Sequence, residues 1–302
     1  MKKDHPKKNT KRSFAIGSEW VYYKIYTGHK TADTILTEVI APLADRFLAS
    51  GSITKWFFIR YADPEHHLRV RFLSASTSDI GSILGALHES LNLFLERDLI
   101  WKIQLDTYQR ELERYGTNTI VLSESLFQFD SMATASFLDL IEGDEGETLR
   151  WLFGLRSIDH LLTHFSYTLD EKLVLLDHLK TGFGAEFGMG RPLKKQLDAK
   201  YRAHRPRIAS FMAFTKETDP DHAPILEVLE TKSAHIAPIV NDIMAIVAQN
   251  RLEMPMNGLL GSYIHMLMNR LFKSKNRLNE MVCYDFLYRY YRTAAAIQKK
   301  RA

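Results

Sequence analysis

Two arginines stand at alternate positions in the segment HHLRVRFL, where a single valine separates Arg69 from Arg71. In a β-strand such residues point to the same face, about 7 Å apart, because side chains alternate between faces with a period of two. His67 shares this face, and apolar residues occupy the other. Forked guanidinium groups match carboxylates and phosphates. The pattern leaves two interpretations open: a solvated outer face with acidic partners, or one wall of a site for an anion.

Other residues with chemical potential lie at helical spacings. His265 and Asn269 are four residues apart beside an apolar stripe, so they share one face of a predicted helix. A histidine there can act as a general acid or base, or it can be a hydrogen-bonded core residue. Glu111 and Arg114, three residues apart, can form a surface ion pair or belong to a site. Glu280 follows on a later helical stretch and is too generic to interpret alone.

The elements that must position these residues predict a fold of the α+β class, predominantly helical around a small antiparallel sheet. Strands are expected at 19–27 and 55–61, and the latter pairs with HLRVRFL across a turn at Asp63-Pro64. A helix over 31–50 ends at Gly51. The segment 101–116 could start as a strand, but the spacing of Tyr108, Glu111, Leu112 and Tyr115 indicates a helix that ends at Gly116. The glycine-rich segment 182–192 is expected to be a surface loop or a lid. Further helical patterns cover 79–97, 123–180 (with an acidic gap at 142–147), 193–216, 222–252 and 258–298.

Composition and missing motifs exclude several classes of protein. The 302 residues are 45% hydrophobic and 25% charged, which suits a large globular core. The only cysteine, Cys283, rules out an internal disulfide framework and is expected to be a buried thiol. The sequence has no CxxC, HExxH, GxGxxG, P-loop or GxSxG motif, so zinc, nucleotide or acyl-serine chemistry has no support. A structural zinc or zincin site is therefore not expected.

The basic N-terminal segment MKKDHPKKNTKR carries much of the net charge of +4. We expect residues 1–15 to form a basic flexible tail and residues 16–302 to form a single domain. No basic run with interleaved aromatic residues follows the tail, so a nucleic-acid partner is not expected. No apolar run reaches the roughly 20 residues that a transmembrane helix needs, and no signal-peptide core is present. A cytoplasmic location without membrane contact is therefore expected.

Four ordered segments resemble the C-terminal domains of lantibiotic dehydratases, which also occur as stand-alone thiopeptide-type bacteriocin biosynthesis proteins. FFIRYADPEHHLRVRF resembles the family's RY-DP--HLR-RF segment, and WVYYKIY resembles its early tryptophan strand. YQRELERYG matches the Y--E--RYGG segment, with Thr117 in place of the second glycine. HMLMNR, residues 265–270, matches the H---NR motif. The resemblance covers nearly the whole chain.

The resemblance implies a reaction. In full-length relatives, one domain transfers glutamate from glutamyl-tRNA to Ser or Thr of a precursor peptide. The C-terminal domain then eliminates that glutamate to leave dehydroalanine or dehydrobutyrine. A chain of this length has room only for the second part, so the resemblance implies a lyase that works with a separate glutamylating protein. By motif, the elimination residues are His265, Arg69, Arg71 and Arg114, and the supporting or substrate-binding residues are Glu111, Asn269, Glu280, Arg60 and His67.

Two rival functions remain open. Pyridine synthases of thiopeptide pathways share the architecture and join two dehydroalanines in a formal cycloaddition, but they tend to lose the elimination residues that this sequence retains. A non-catalytic partner would bind the precursor peptide or the glutamylating protein without turnover. The assembly is also open, because full-length relatives form dimers and a stand-alone chain could instead pair with its partner. The precursor and the preference for Ser or Thr do not follow from the sequence.

Overall fold

The computed structural model describes residues 10–301. Most of them lie in helices that surround six strands. The strands are β1 (Ser13–Phe14), β2 (Trp20–Thr27), β3 (Ile53–Ala62), β4 (His66–Ser74), β5 (Ile100–Leu105) and β6 (Tyr108–Gln109). The α-helices are α1 (His29–Ile35), α2 (Ala41–Ser50), α3 (Ile80–Glu96), α4 (Leu112–Tyr115), α5 (Ile120–Asp139), α6 (Gly143–His164), α7 (Leu169–Glu186), α8 (Arg191–Ala213), α9 (Ala223–Ala248), α10 (Met256–Leu271) and α11 (Asn276–Arg301). The predicted fold class, α+β and mostly helical, is confirmed.

The main sheet is antiparallel, with strand order β3-β4-β2-β5, and a short β1-β6 pair lies apart from it. The predicted hairpin of β3 and β4 is present, and its turn contains Asp63-Pro64. Strand β4 lies between β2 and β3, so residues 67–73 of β4 have a cross-strand neighbour on both sides. The helix before β3 is interrupted by a π-helical turn at Leu36–Ile40 and ends, as predicted, at Gly51, whose φ is 72°.

Both faces of the sheet are covered by helices. On one face Leu68, Val70 and Phe72 are fully buried, and the ring of Phe72 contacts Phe47 of α2 at 6.1 Å. On the other face the ring of Phe57 contacts Phe127 of α5 at 5.6 Å. Of the two interpretations of the basic face of β4, the solvated one does not hold at His67 and Arg71, which are buried because α5 packs on this face.

Three predicted elements differ from the structure. Residues 101–116 begin as strands β5 and β6, which pair with β2 and β1, and only Leu112–Tyr115 form a helix, of one turn. The predicted loop at 182–192 is shorter, because α7 continues to Glu186 and α8 begins at Arg191. The pattern over 258–298 is divided between α10 and α11.

Two residues of the predicted tail form a strand. Ser13 and Phe14 pair with β6, and Phe14 is buried against Trp20 and Tyr108, so a flexible tail does not extend to residue 15. The first nine residues of the predicted tail lie outside the described range. Cys283 is a buried free thiol, as expected. Within the described residues, no helix is long and apolar enough to cross a bilayer.

Gly116 ends α4 in a backbone conformation that requires glycine. Its φ is 73° and its ψ is 158°, and an added Cβ would lie 2.6 Å from the Cε atom of Met254. We expect Gly116→Ala to lower the free energy of unfolding by about 2 kcal/mol, because backbone strain and crowding add. Urea unfolding measures the change. Gly85→Ala on the exposed side of α3 is the control and should be neutral or stabilising; equal values for both variants would contradict the prediction.

Candidate functional site

His265 on α10 is held by a carboxylate from α11. Its Nδ1 lies 2.8 Å from Oε2 of Glu280, and the same oxygen accepts a hydrogen bond from the hydroxyl of Tyr284 at 3.0 Å. Glu280 is fully buried, whereas the His265 side chain is 26% exposed. A carboxylate accepts hydrogen bonds, so Nδ1 carries the proton in the neutral ring and Nε2 keeps its lone pair. This arrangement orients a base toward solvent-accessible space.

Two cavities, each of about 540 Å³, meet at His265. The first, which we call the α4 cavity, is lined by Arg114 together with residues of α7 and α10. The second, the hairpin cavity, is lined by Tyr61 and His66 at the β3–β4 turn and by Lys273 and Lys275 between α10 and α11. His265 and Arg277 line both. The structure thus brings two of the four predicted elimination residues, His265 and Arg114, to one cavity.

Three aromatic rings lie around the guanidinium of Arg71, and strand register places two of them there. We call these rings, Tyr22, Phe57 and Tyr108, the aromatic box. The cross-strand neighbours of Arg71 are Tyr22 on β2 and Phe57 on β3, so all three point to the same face. The guanidinium carbon lies 4.3 Å from the Tyr22 ring centre, 5.2 Å from that of Phe57 and 5.0 Å from that of Tyr108. Stacked rings hold the guanidinium through cation–π attraction while leaving its hydrogen-bond donors free.

The Arg71 guanidinium is buried without a bonded acceptor. Arg71 is only 7% exposed, and its Nε and Nη1 have no hydrogen-bond partner among residues 10–301. Burial lowers the pKa of this guanidinium, and the nearby charge of Glu111 raises it in part. Arg270 is also fully buried, and desolvation lowers its pKa to about 10 although Asp130 opposes the shift. A buried cation with unbonded donors is strongly stabilised when an anion binds beside it.

Glu111 and Arg114 form the ion pair that their spacing predicted. Arg114 Nε lies 3.1 Å from Glu111 Oε2, and the pair is exposed. Its position extends from the environment of Arg71, which senses the Glu111 charge, to the α4 cavity, which Arg114 lines. The structure thus places Arg114 of this pair at the cavity that His265 also lines.

Arg69 and His67 form a unit next to this box. Arg69 Nε donates to Nε2 of His67 at 3.1 Å, and the Arg69 guanidinium stacks on Tyr61 at 3.5 Å from the ring centre. His67 is fully buried, stacks on Tyr26 and bonds through Nδ1 to the carbonyl of Glu65. Because its Nε2 accepts, its Nδ1 carries the proton, and the ring is neutral. His67 therefore orients Arg69 and is itself shielded from solvent.

Arg60 is held in a buried network and also lines the hairpin cavity. Its Nη2 lies 2.6 Å from Oδ1 of Asp33 and its Nε donates to the carbonyl of Arg270, while Arg150 binds the second oxygen of Asp33. Its Nη1 has no hydrogen-bond partner among residues 10–301, so the supporting role that the sequence predicts for Arg60 stays a prediction. Asn269 binds the backbone of β3. Its side-chain oxygen accepts a hydrogen bond from the N–H of Arg60, and its side-chain nitrogen donates one to the carbonyl of Arg60, both at 2.9 Å. Asn269 thereby fixes α10, and with it His265, against β3.

The sequence interpretation missed several residues of this region. Tyr284, four residues after Glu280, holds the carboxylate and could have been found from that helical spacing. Tyr22, Phe57 and Tyr108 come from three separate strands, and their convergence on Arg71 carries no local signal. Arg277 was not considered at all. Among residues 10–301 no group of three potential metal ligands is present.

Two histidines make folding stability depend on pH. His66, which lines the hairpin cavity, and His160 on α6 are largely buried, and desolvation lowers the pKa of each from 6.5 to about 4. As the pH falls, the unfolded chain binds these protons before the folded chain does. The free energy of unfolding is therefore highest above pH 6.5 and decreases as the pH drops toward 4. We expect a loss on the order of 2 kcal/mol between pH 7 and 4.5 in urea unfolding. The His66→Gln/His160→Gln double variant should show a flatter profile; an unchanged slope would contradict this origin.

Comparisons with known proteins agree with this architecture. The family model for the C-terminal part of lantibiotic biosynthesis dehydratases matches residues 20–291. The subtilin biosynthesis protein SpaB of Bacillus subtilis is 24% identical over 279 residues, which cover 89% of this chain and 25% of SpaB. The chain therefore spans about a quarter of the length of this relative.

Solved structures show the same fold at low identity. The tRNA-dependent lantibiotic dehydratase MibB from Microbispora sp. 107891 superposes with a TM-score of 0.71 at 21% identity, covering 96% of this chain and 29% of MibB. The pyridine synthase TbtD from thiomuracin biosynthesis superposes with a TM-score of 0.63 at 12% identity, covering 89% of this chain and 97% of TbtD. Since the family model extends over most of the chain, the protein belongs to the lantibiotic biosynthesis dehydratase C-terminal family, as its four motifs had indicated.

Proposed function

We propose that this chain eliminates glutamate from glutamylated Ser or Thr residues of a ribosomal precursor peptide, leaving dehydroalanine or dehydrobutyrine. The observation that carries the proposal is His265, which is held by buried Glu280 and opens onto a cavity that Arg114 also lines. A fixed base beside a cation is what a β-elimination with an anionic leaving group needs.

His265 is the base in this proposal. Its Nε2 takes the Cα proton of the modified residue, and the electrons of that C–H bond form the Cα=Cβ double bond. The bond between Cβ and the ester oxygen breaks, and glutamate departs through its α-carboxylate. Glu280 stabilises the imidazolium that forms and keeps the ring in one tautomer. No metal or organic cofactor is required, because a carboxylate is already a good leaving group.

The arginines serve the negative charges of the substrate. The glutamyl group carries a free γ-carboxylate, its departing α-carboxylate is a second anion, and enolate-like charge develops on the peptide carbonyl. Arg71, with unbonded donors held in the aromatic box, and Arg114 at the α4 cavity are suited to the departing α-carboxylate and to the enolate-like charge. Arg69 lies on the same strand face as Arg71 and is oriented by His67.

The proposed partners follow from the proposed substrate. A separate protein would attach glutamate from glutamyl-tRNA to the precursor peptide and deliver the ester to this chain. Whether the chain acts as a homodimer or in a complex with that protein is decided by measuring the mass of the assembly in solution, alone and with the partner.

The test is a mass measurement on purified protein mixed with a glutamylated precursor peptide. The proposal expects loss of one glutamic acid per modified site, free glutamate in solution, and an alkene that reacts with thiols. Binding without any change in mass would replace the proposal with a non-catalytic role. A macrocycle formed from an already dehydrated peptide would replace it with pyridine-synthase chemistry.

A further inference from the structure

Arg277 occupies the point where the two cavities meet. It stands in the first turn of α11, and it and His265 are the side chains found in both linings. The neighbouring cations Lys273 and Lys275 line the hairpin cavity. A substrate that reaches His265 from either cavity therefore passes this guanidinium, which the mechanism above does not use.

The Arg277 guanidinium already binds a carboxylate in the two-pronged geometry. Its Nε lies 3.1 Å from Oε1 of Glu186, and its Nη2 bonds to Oε2 of the same residue. The guanidinium carbon lies 4.0 Å from the ring centre of Phe183, which holds the fork flat. Glu186 is the last residue of α7 and is 42% exposed, and Arg277 is 48% exposed. Ion pairs exposed to this extent are weak and exchange readily.

Of the two acidic residues near Arg277, Glu186 is the one that can give up its ion pair. Glu280, one turn further along α11, is buried and is bound by His265 and Tyr284. If Glu186 moved away, Phe183 would still hold the guanidinium beside His265, with its fork open toward the cavities. Arg277 would then present to an incoming carboxylate the same two donors that it now presents to Glu186.

We propose that Arg277 is a specificity residue that exchanges Glu186 for the free γ-carboxylate of the substrate's glutamyl group. This inference rests on the proposed elimination function, and it assigns to Arg277 a substrate contact and to Glu186 the role of a competing internal carboxylate. It predicts effects of opposite sign for the two members of one ion pair. Loss of Arg277 weakens recognition, and loss of the Glu186 charge strengthens it, because Arg277 no longer has to give up a partner.

Turnover is measured with two peptides, one carrying a glutamyl ester and one carrying the corresponding glutaminyl ester, whose γ-group is a neutral amide. For Arg277→Gln we expect KM for the glutamyl peptide to rise about tenfold, with little change for the glutaminyl peptide. For Glu186→Gln we expect the glutamyl KM to fall about threefold. Arg277→Lys should recover part of the preference. The matched control is Arg292→Gln, an exposed arginine of α11 stacked on Tyr288 outside both cavities.

Binding is measured separately with a peptide in which an amide replaces the reactive ester. The same pattern of dissociation constants supports the inference. If both variants shift KM and Kd in the same direction, or if Arg277→Gln keeps the full preference for glutamyl over glutaminyl, Arg277 is only a structural partner and the inference is overturned. Failure of the wild-type protein to release glutamate rejects the elimination function alone, since the binding measurement still decides the role of Arg277.

Discussion

A His265→Ala variant is expected to bind the glutamylated peptide and to release glutamate at least about a thousandfold more slowly than the wild-type protein. The imidazole is the only group that the proposed mechanism uses to remove the Cα proton, and its orientation depends on the bond between Nδ1 and Glu280. Binding should change little, because the peptide's charges meet the arginines. Single-turnover mass spectrometry gives the rate, and titration with a labelled peptide gives the affinity.

Two further variants separate chemistry from structure at this position. His178 lines the same cavity but is exposed, so His178→Ala should keep its activity. Glu280→Gln removes the charge that stabilises the imidazolium and no longer fixes the tautomer of His265, so we expect a loss of up to about ten thousandfold. Full activity of His265→Ala would show that another group is the base.

An Arg71→Met variant is expected to lose elimination by at least about a hundredfold while its thermal stability stays equal to that of the wild-type protein or rises. The guanidinium is buried and its Nε and Nη1 donors are unbonded. The free energy lost on desolvating them is therefore not offset by hydrogen bonds within residues 10–301. Methionine fills the same box of rings and contacts aromatic faces well. Calorimetry gives Tm, and the glutamate-release assay gives the rate.

The matched control is Arg46→Met, in which an arginine close to a ring on α2 is replaced outside the site. It should leave elimination unchanged. A large fall in Tm for Arg71→Met would mean that the guanidinium serves the fold, and full elimination activity would remove Arg71 from the proposed site. Loss of function together with retained stability is the signature of a group held for its chemistry.

Local patterns predicted the parts of the fold that local chemistry determines. The alternation in β4, the turn at Asp63-Pro64 and the glycine that ends α2 all follow from short-range rules, and each is present. The buried apolar stripe of α10 also follows from spacing alone. The pairing of Glu111 with Arg114 was predictable for the same reason.

The features that the sequence did not predict depend on contacts between elements that are distant in the sequence. In residues 101–116, backbone pairing with β1 and β2 replaces most of the helix that the spacing predicts, and in residues 182–192 the glycines did not stop α7 before Glu186. Arg71 is buried because rings from β2, β3 and β6 enclose it, which depends on strand register and not on neighbouring sequence. The ion pair of Arg60 with Asp33, 27 residues away, likewise has no signal in the neighbouring sequence.

The amide of Asn269 has a consequence for association between chains. Strand β3 is at the edge of the sheet, where unpaired backbone groups can nucleate pairing with a strand of another molecule. Asn269 occupies both the N–H and the C=O of Arg60, as a neighbouring strand would, and α10 covers the edge at that point. The side chain that sets the position of His265 therefore also shields the sheet against edge-to-edge aggregation.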